Sequence, residues 1–181
     1  QLGSSFKPFV YLEALENGFE TYSVVVNDFV AFGKWAPKNF DGRYSYNSTL
    51  VNSLNLSLNV PAVKLLDAIT VDKFKEGIGD NIKLTSEVKD LTAALGSVDS
   101  TPVNVAANFS IFVNGGYIVK PNIIREIRDN QDILIYVADI EKTKVFDSVD
   151  VSAITAMLKT VVSNGTATRA RVVDKNGRPI Q

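Results

Sequence analysis

The spacing of the apolar residues constrains the fold most strongly, because these residues recur at helical intervals along much of the chain. The first stripe begins at Ser4, ends at Asn17-Gly18, and contains Phe6, Phe9, Val10, Leu12 and Leu15. Stripes of the same period begin at Ser48, Pro61, Thr101 and Val149. Since this period is that of an amphipathic helix, the pattern predicts a helix-rich chain.

Proline and glycine mark the expected helix boundaries. Pro61 fits a first helical position, where its missing N–H costs nothing. The helix that opens at Thr101-Pro102 is expected to continue through Val113 and to stop at Gly115-Gly116. The last helix, Val149 to Asn164, is expected to end on Gly165.

Three segments depart from the helical period. Val24, Val25 and Val26 predict a short strand, and the Pro-, Asn- and Tyr-rich stretch from Trp35 to Asn47 predicts a loop. Residues 117–139 read as two strands joined by a polar turn at 129–132, which is a β-hairpin. With 181 residues and 45% hydrophobic content, the chain suffices for one compact domain.

The composition excludes several kinds of chemistry. The chain has neither cysteine nor histidine, so it cannot form a disulfide, a thiolate nucleophile, a Ser-His-Asp triad or a His-ligated metal site. A net charge of -1 without basic blocks argues against nucleic acid as a partner. No apolar run approaches a membrane span, so the chain is not expected to anchor itself.

Ser4-Ser5-Phe6-Lys7 forms an S-x-x-K motif at the start of the first helix. The i, i+3 spacing places the hydroxyl and the amine on one helix face. In a site without histidine, a lysine whose pKa is lowered can remove the serine proton. Ser86-Glu87-Val88-Lys89 also matches, but its charged surroundings indicate a surface segment.

The stretch Gln1 to Tyr11 closely resembles the R-Q-P-G-S-x-x-K-P-x-x-Y segment around the nucleophile of class A penicillin-binding proteins, with Leu2 in place of proline. Further landmarks of that family follow in the same order and cover nearly the full length. They are Trp35-x-Pro37-x-Asn39-Phe40-Asp41, Ser57-Leu58-Asn59 with Val60-Pro61-Ala62 behind it, Ala94-Leu95-Gly96-Ser97, Thr101-Pro102, Asn114-Gly115-Gly116 and Asn164-Gly165-Thr166-Ala167.

Three segments match the family's S-x-N motif, and only one has the family's flanking residues. Ser45-Tyr46-Asn47 and Ser53-Leu54-Asn55 lack the V-P-A-V-K-L continuation that follows Ser57-Leu58-Asn59. The resemblance implies that Ser57 relays a proton between Lys7 and the leaving amine, and that Asn59 hydrogen-bonds the Lys7 side chain and the substrate amide. Ser57 could also be a helix N-cap.

The family's third motif, K-T/S-G, does not occur in this chain. Lys142-Thr143-Lys144 lacks the glycine and precedes the final helix, so it is not taken as that motif. The chain stops on Gly177-Arg178-Pro179-Ile180-Gln181, which resembles the family pattern just before K-T-G. Residues 1–181 are therefore expected to be a partial transpeptidase domain that is inactive alone, because one oxyanion-hole donor is worth about 10²–10³ in rate.

The resemblance implies an α+β, β-lactamase/transpeptidase-like fold, here mainly its helical lobe with a β-hairpin and an incomplete central sheet. It implies a serine D,D-transpeptidase that uses Ser4, Lys7, Ser57 and Asn59, without cofactor or metal. The implied partners are peptidoglycan stem peptides, lipid-linked glycan strands, β-lactams and the remaining part of the domain.

The implied location is the bacterial cell envelope, at the outer face of the cytoplasmic membrane, with any membrane segment outside this chain. The alternative is a non-catalytic cell-wall binding or assembly module derived from the same fold. The absence of K-T-G from the chain keeps that alternative open.

Overall fold

The computed structural model describes residues 1–79 and 81–178. Within them lie six α-helices: α1 Lys7–Glu16, α2 Leu50–Asn55, α3 Asn59–Ile69, α4 Val71–Ile78, α5 Pro102–Ser110 and α6 Ser148–Asn164. Short 3₁₀ turns occupy Gly3–Phe6, Leu91–Leu95 and Thr168–Ala170. The end of the expected family pattern, Pro179, Ile180 and Gln181, lies outside the described residues.

Helix α1 lies at the centre of the fold and packs against α3, α4 and α6. Every residue from Lys7 to Leu15 is buried, so the helix has no solvated face. Phe9 packs against one ring at the end of α5 and one just beyond it, with centroid separations of 5.4 Å to Phe109 and 5.2 Å to Phe112. Such contacts fix the orientation of α1 and hence of the residues at its start.

Two predicted helix boundaries are wrong. Helix α3 begins at Asn59, two residues before Pro61, and the proline is tolerated because the N–H groups of a first turn have no intrahelical partner. Helix α5 ends at Ser110 rather than at Gly115-Gly116. The chain leaves that helix through tighter turns, in which Val113 N–H donates to the Ser110 carbonyl at 3.1 Å.

The strands form three two-stranded antiparallel sheets in the described part of the chain. β1 (Val24–Asn27) pairs with β2 (Tyr46–Thr49), β3 (Tyr117–Val119) with β6 (Lys142–Lys144), and β4 (Glu126–Arg128) with β5 (Leu134–Val137). The predicted hairpin is confirmed as β4 and β5, but its expected start at 117–119 is wrong, because those residues pair with β6 instead. The expected loop end and helix start around Ser48 are wrong, because the polar segment 46–49 is extended by pairing with β1.

The six strands are short, and the helices supply most of the buried apolar residues. The described residues therefore form a mixed α+β fold that is mainly helical, as predicted. None of the described helices is long and apolar enough to cross a membrane.

Candidate active site

The 3₁₀ turn Gly3–Phe6 runs directly into α1 and places Ser4 one turn before Lys7. The Lys7 backbone N–H donates to the Ser4 carbonyl. Because a 3₁₀ helix has about three residues per turn, side chains at i and i+3 eclipse each other. The Ser4 hydroxyl is exposed, while Lys7 is only 1% exposed. The two residues are thus one 3₁₀ turn apart, with Ser4 exposed and Lys7 buried.

The backbone before Ser4 is held by the segment that contains Gly96. Leu2 N–H donates to the Val98 carbonyl at 2.9 Å, and Gly3 N–H donates to the Gly96 carbonyl at 3.0 Å. A Cβ at Gly96 would lie 1.9 Å from the Gly3 carbonyl oxygen. Only glycine allows this approach, so the Ala94-Leu95-Gly96-Ser97 landmark has a structural function at the start of the Ser4 turn.

The Lys7 amine makes three hydrogen bonds, all to the segment that the sequence singles out as S-x-N. Nζ donates to the Ser57 carbonyl oxygen at 2.6 Å, to Ser57 Oγ at 3.1 Å and to Asn59 Oδ1 at 2.8 Å. These contacts match the three donors of an ammonium. Within residues 1–79 and 81–178, neither a carboxylate nor the Ser4 hydroxyl is a hydrogen-bond partner of this amine.

Burial lowers the pKa of Lys7 from its ordinary value of 10.5 to about 8. The physical cause is the loss of hydration of the charged form, which the three neutral oxygen acceptors do not fully replace. A substantial fraction of the amine is therefore unprotonated slightly above neutral pH. A general base is most effective when its pKa lies near the working pH.

Ser57 presents both of its oxygens to Lys7 from an unusual backbone conformation. Its φ of +53° lies in the left-handed region, which few residues other than glycine adopt and which occurs preferentially at functional sites. Helix α3 begins two residues later, and its N-cap is Leu58. The alternative assignment of Ser57 as a helix N-cap is therefore wrong.

Asn59 is held from both sides by residues 38 and 39. Its Nδ2 donates to the Lys38 carbonyl at 2.8 Å, and its backbone N–H donates to Asn39 Oδ1 at 2.9 Å. The sequence marks Asn39 as a family landmark but assigns it no role. The feature of the sequence that points to Asn39 is its place in the W-x-P-x-N landmark, within a loop rich in aromatic and turn residues.

The serines of the other S-x-N and S-x-x-K matches have structural surroundings instead. Ser45 Oγ accepts from Asn27 Nδ2 at 2.9 Å, Ser53 is fully buried, and Ser86 Oγ accepts from Asp99 N–H at 2.8 Å. A Cβ at Gly165 would lie 2.1 Å from Asn55 Oδ1, so the glycine of the Asn164-Gly165-Thr166-Ala167 landmark lets the end of α6 approach α2. In the described part of the chain, only Ser57 and Asn59 accept hydrogen bonds from the Lys7 amine.

The family model described as the penicillin binding protein transpeptidase domain matches residues 1–180. The chain belongs to this family. Transpeptidase-domain members share the β-lactamase/transpeptidase fold, which confirms the predicted fold class. The S-x-x-K and S-x-N segments, brought together here by the Lys7 contacts, lie within the matched region.

The relatives of this penicillin-binding protein domain are considerably longer than the chain. It is 42% identical to penicillin-binding protein 1A of Neisseria meningitidis over 138 residues, covering 71% of this chain and 17% of that protein. It is 32% identical to the Aquifex aeolicus protein of the same name, over 97% of this chain and 25% of the relative. The chain thus spans a quarter or less of these relatives.

A solved structure shows the same fold. The crystal structure of penicillin-binding protein 1A from Haemophilus influenzae superposes with a TM-score of 0.85 at 24% identity, covering 92% of this chain and 31% of that one.

Proposed function

We propose that this chain supplies the acyl-enzyme half of a serine D,D-transpeptidase that cross-links peptidoglycan stem peptides. The observation that carries the proposal is the set of three Lys7 hydrogen bonds to Ser57 and Asn59, made by a lysine that lies one 3₁₀ turn after the exposed Ser4. A buried lysine without a carboxylate partner is unusual. Beside a serine on the same face, it has the arrangement expected of a base and its nucleophile.

In the first half of the reaction, Ser4 Oγ attacks the carbonyl carbon of the penultimate D-Ala while its proton passes to unprotonated Lys7. The tetrahedral intermediate then breaks the peptide bond to the terminal D-Ala. Ser57 Oγ, 3.1 Å from Lys7 Nζ, relays a proton to the leaving amine, because a hydroxyl both accepts and donates. D-Ala leaves, and Ser4 carries the acyl group as an ester.

In the second half, an amine of a neighbouring stem attacks the ester, and the same groups return the proton to Ser4. Asn59 holds Lys7 through Oδ1 and uses one Nδ2 hydrogen for Lys38. The second Nδ2 hydrogen is available to the substrate amide. β-Lactams acylate Ser4 in the same way, and the ester that they leave hydrolyses slowly.

The whole protein is proposed to act at the outer face of the cytoplasmic membrane in the bacterial envelope. Its substrates are stem peptides on lipid-linked glycan strands, and a membrane segment outside this chain holds it there. Residues 1–181 form part of the domain, and a K-T-G strand from its remainder supplies the carboxylate contact and an oxyanion donor. A donor of that kind contributes about 10²–10³ in rate.

The test is intact-mass spectrometry after incubation with a fluorescent penicillin, for the chain alone and for the chain expressed with the rest of the domain. We expect one adduct in the complete domain, absent in Ser4→Ala and retained in Ser5→Ala. Ser5 is the matched control because its hydroxyl is also exposed and donates to the Leu2 carbonyl at 2.6 Å.

The adduct should form faster as the pH rises through about 8, where Lys7 loses its proton. Absence of any adduct in the complete domain would overturn the catalytic proposal. The non-catalytic cell-wall binding module would then be the better account. An adduct that persists in Ser4→Ala would show that the nucleophile is a residue other than Ser4.

A further inference from the structure

A buried amide, Asn39, lies behind the candidate site and uses its full hydrogen-bonding capacity. The residue is 4% exposed. Its Nδ2 donates to Asn27 Oδ1 at 2.8 Å and to the Arg43 carbonyl at 2.7 Å. Its Oδ1 accepts from the backbone N–H groups of Asn59 at 2.9 Å and Val60 at 3.2 Å. Two donated and two accepted bonds saturate a primary amide.

The two bonds to Oδ1 replace a cap that α3 lacks. The N-cap residue Leu58 has no side-chain hydrogen bond to the helix, whereas Thr49, Thr70 and Thr101 cap α2, α4 and α5 with their own hydroxyls. The first N–H groups of a helix need such an acceptor. Helix α3 receives it from Asn39, a residue 20 positions earlier in the chain.

The cap fixes the residue that contacts Lys7. Asn59 is bound by its backbone to Asn39 and by its side-chain Nδ2 to the Lys38 carbonyl, at 2.9 and 2.8 Å. With both of these points held, its remaining oxygen, Oδ1, is directed at Lys7 Nζ at 2.8 Å. One loop therefore sets the position and the rotamer of Asn59.

Asn39 is itself anchored to the end of β1. Asn27 is 1% exposed, accepts from Asn39 and donates to Ser45 Oγ at 2.9 Å. Strand β1 is tied to α3 a second time, because Lys64 Nζ donates to the Val26 carbonyl at 2.8 Å. Strand β1 is thus connected to α3 twice, once through the Asn39 cap and once through Lys64.

We infer that Asn39 is the positioning residue of the site: by capping α3 it holds Asn59 against Lys7 in the geometry that acylation of Ser4 requires. The inference rests on the proposed function. It concerns a residue that does not touch the substrate and acts only through Asn59. A displacement of about 1 Å in such a contact can lower a rate about 10²-fold.

The test uses Asn39→Ala and Asn39→Asp in the complete domain. Both are compared with Asn108→Ala, which removes another buried amide, bonded to the backbone of Lys83 and 1% exposed. The measurements are the acylation rate constant at saturating penicillin, the Kd of the preceding complex, the pH profile and Tm. The Lys7 Nζ titration is followed by NMR without any penicillin.

For Asn39→Ala we expect a rate constant lower by about 10²-fold and little change in Kd. The pH at which the Lys7 amine titrates should also differ from that of the wild type. Asn39→Asp keeps the acceptor for both N–H groups but adds negative charge beside Asn59, the residue that accepts from the Lys7 amine. Its Lys7 titration and its pH profile should therefore move upward, with much of the rate recovered at high pH. Asn108→Ala should lower Tm and leave the pH profile unchanged.

The positioning role is overturned if the folded Asn39 variants keep the wild-type rate constant and Lys7 titration while their Tm falls as in Asn108→Ala. If Asn39→Ala does not fold, Asn39→Asp decides, since a folded Asp variant that keeps the acceptor for both N–H groups but recovers no acylation at high pH also overturns the role. Wild-type protein that forms no adduct would instead refute the proposed function. The Lys7 titration would still report whether Asn39 positions the amine.

Discussion

The two ends of α1 each bury an ionisable side chain, and they do so in opposite ways. Lys7 is 1% exposed and Glu13 is 2% exposed. At the start of the helix, the Lys7 amine has three oxygen acceptors within 3.1 Å. Near its end, Glu13 Oε1 has no hydrogen-bond partner among the described residues, and the carboxylate packs against Gly77 of α4.

The difference shows that a perturbed pKa does not by itself identify a functional group. Burial lowers the pKa of Lys7 to about 8, and burial together with Glu16 raises the pKa of Glu13 to about 7, although Lys73 acts in the opposite direction. In both cases desolvation disfavours the charged form and moves the pKa toward 7. Of the two end groups, only that of Lys7 hydrogen-bonds to other polar side chains among the described residues, and it lies one turn from the proposed nucleophile, so the contacts distinguish the candidate site from the core.

If the contacts of Lys7 mark a functional site, its amine should act as the base for Ser4. Lys7→Met keeps the length of the side chain but removes the amine, so we expect acylation of Ser4 to fall by about 10²–10⁴-fold. The rate is measured with a fluorescent penicillin in the complete domain. Lys73→Met, an exposed lysine on α4, should leave it unchanged. A Lys7→Met rate within about tenfold of wild type, well short of the smallest expected effect of about 10²-fold, would contradict the assignment.

Glu13→Gln tests the other end of the helix through stability. The pKa of Glu13 is about 7 in the folded chain against an ordinary value of 4.5, so the folded state binds more protons than the unfolded state between these pH values. The stability of the wild type therefore falls as pH rises from about 4.5 to about 7. At about 1.4 kcal/mol per pKa unit, the loss approaches about 3 kcal/mol.

Urea unfolding at pH 4 and pH 8 measures this effect. Glu13→Gln should match the wild type at pH 4 and exceed it by about 3 kcal/mol at pH 8. Glu76→Gln, on the exposed side of α4, serves as the control and should change neither value by more than about 0.5 kcal/mol. An equal pH dependence in Glu13→Gln and the wild type would show that Glu13 is ionised in the fold.

Local patterns predict the parts of the fold that depend on neighbouring residues. The apolar stripe after Ser4 predicts α1, and the S-x-x-K spacing predicts that Ser4 and Lys7 lie one turn apart at its start. Strands β2 and β6 escape prediction because Tyr46–Thr49 and Lys142–Lys144 are short, polar and extended only by pairing with a partner strand. A run of three or four such residues carries no period of its own.

The polar contacts behind the site depend on residues far apart in the chain. Asn39 caps a helix that begins 20 residues later, and Lys7 meets acceptors 50 and 52 residues away. Family resemblance singles out Ser57 and Asn59, but their roles stay predictions until acylation is measured. Glu13 has no signal in the sequence, because its burial follows from how α4 packs across α1.

Gly77→Ala probes that packing and carries the smallest expected effect. In an ordinary helix interior, replacing glycine by alanine stabilises by about 1 kcal/mol. Here the new Cβ would lie 2.2 Å from Glu13 Oε2 and 2.4 Å from Oε1, so the buried carboxylate must move, and overpacking of this kind costs about 1–3 kcal/mol. We therefore expect a net loss of about 1 kcal/mol in the free energy of unfolding.

A double-mutant cycle with Glu13→Ala isolates the contact, because the shorter side chain leaves room for the methyl group. In the Glu13→Ala background, Gly77→Ala should stabilise the fold by about 1 kcal/mol, reversing its sign. Equal effects of Gly77→Ala in both backgrounds would mean that the Glu13 carboxylate does not press on Gly77. The two ends of α1 would then differ only in their hydrogen bonds and not in how tightly they are packed.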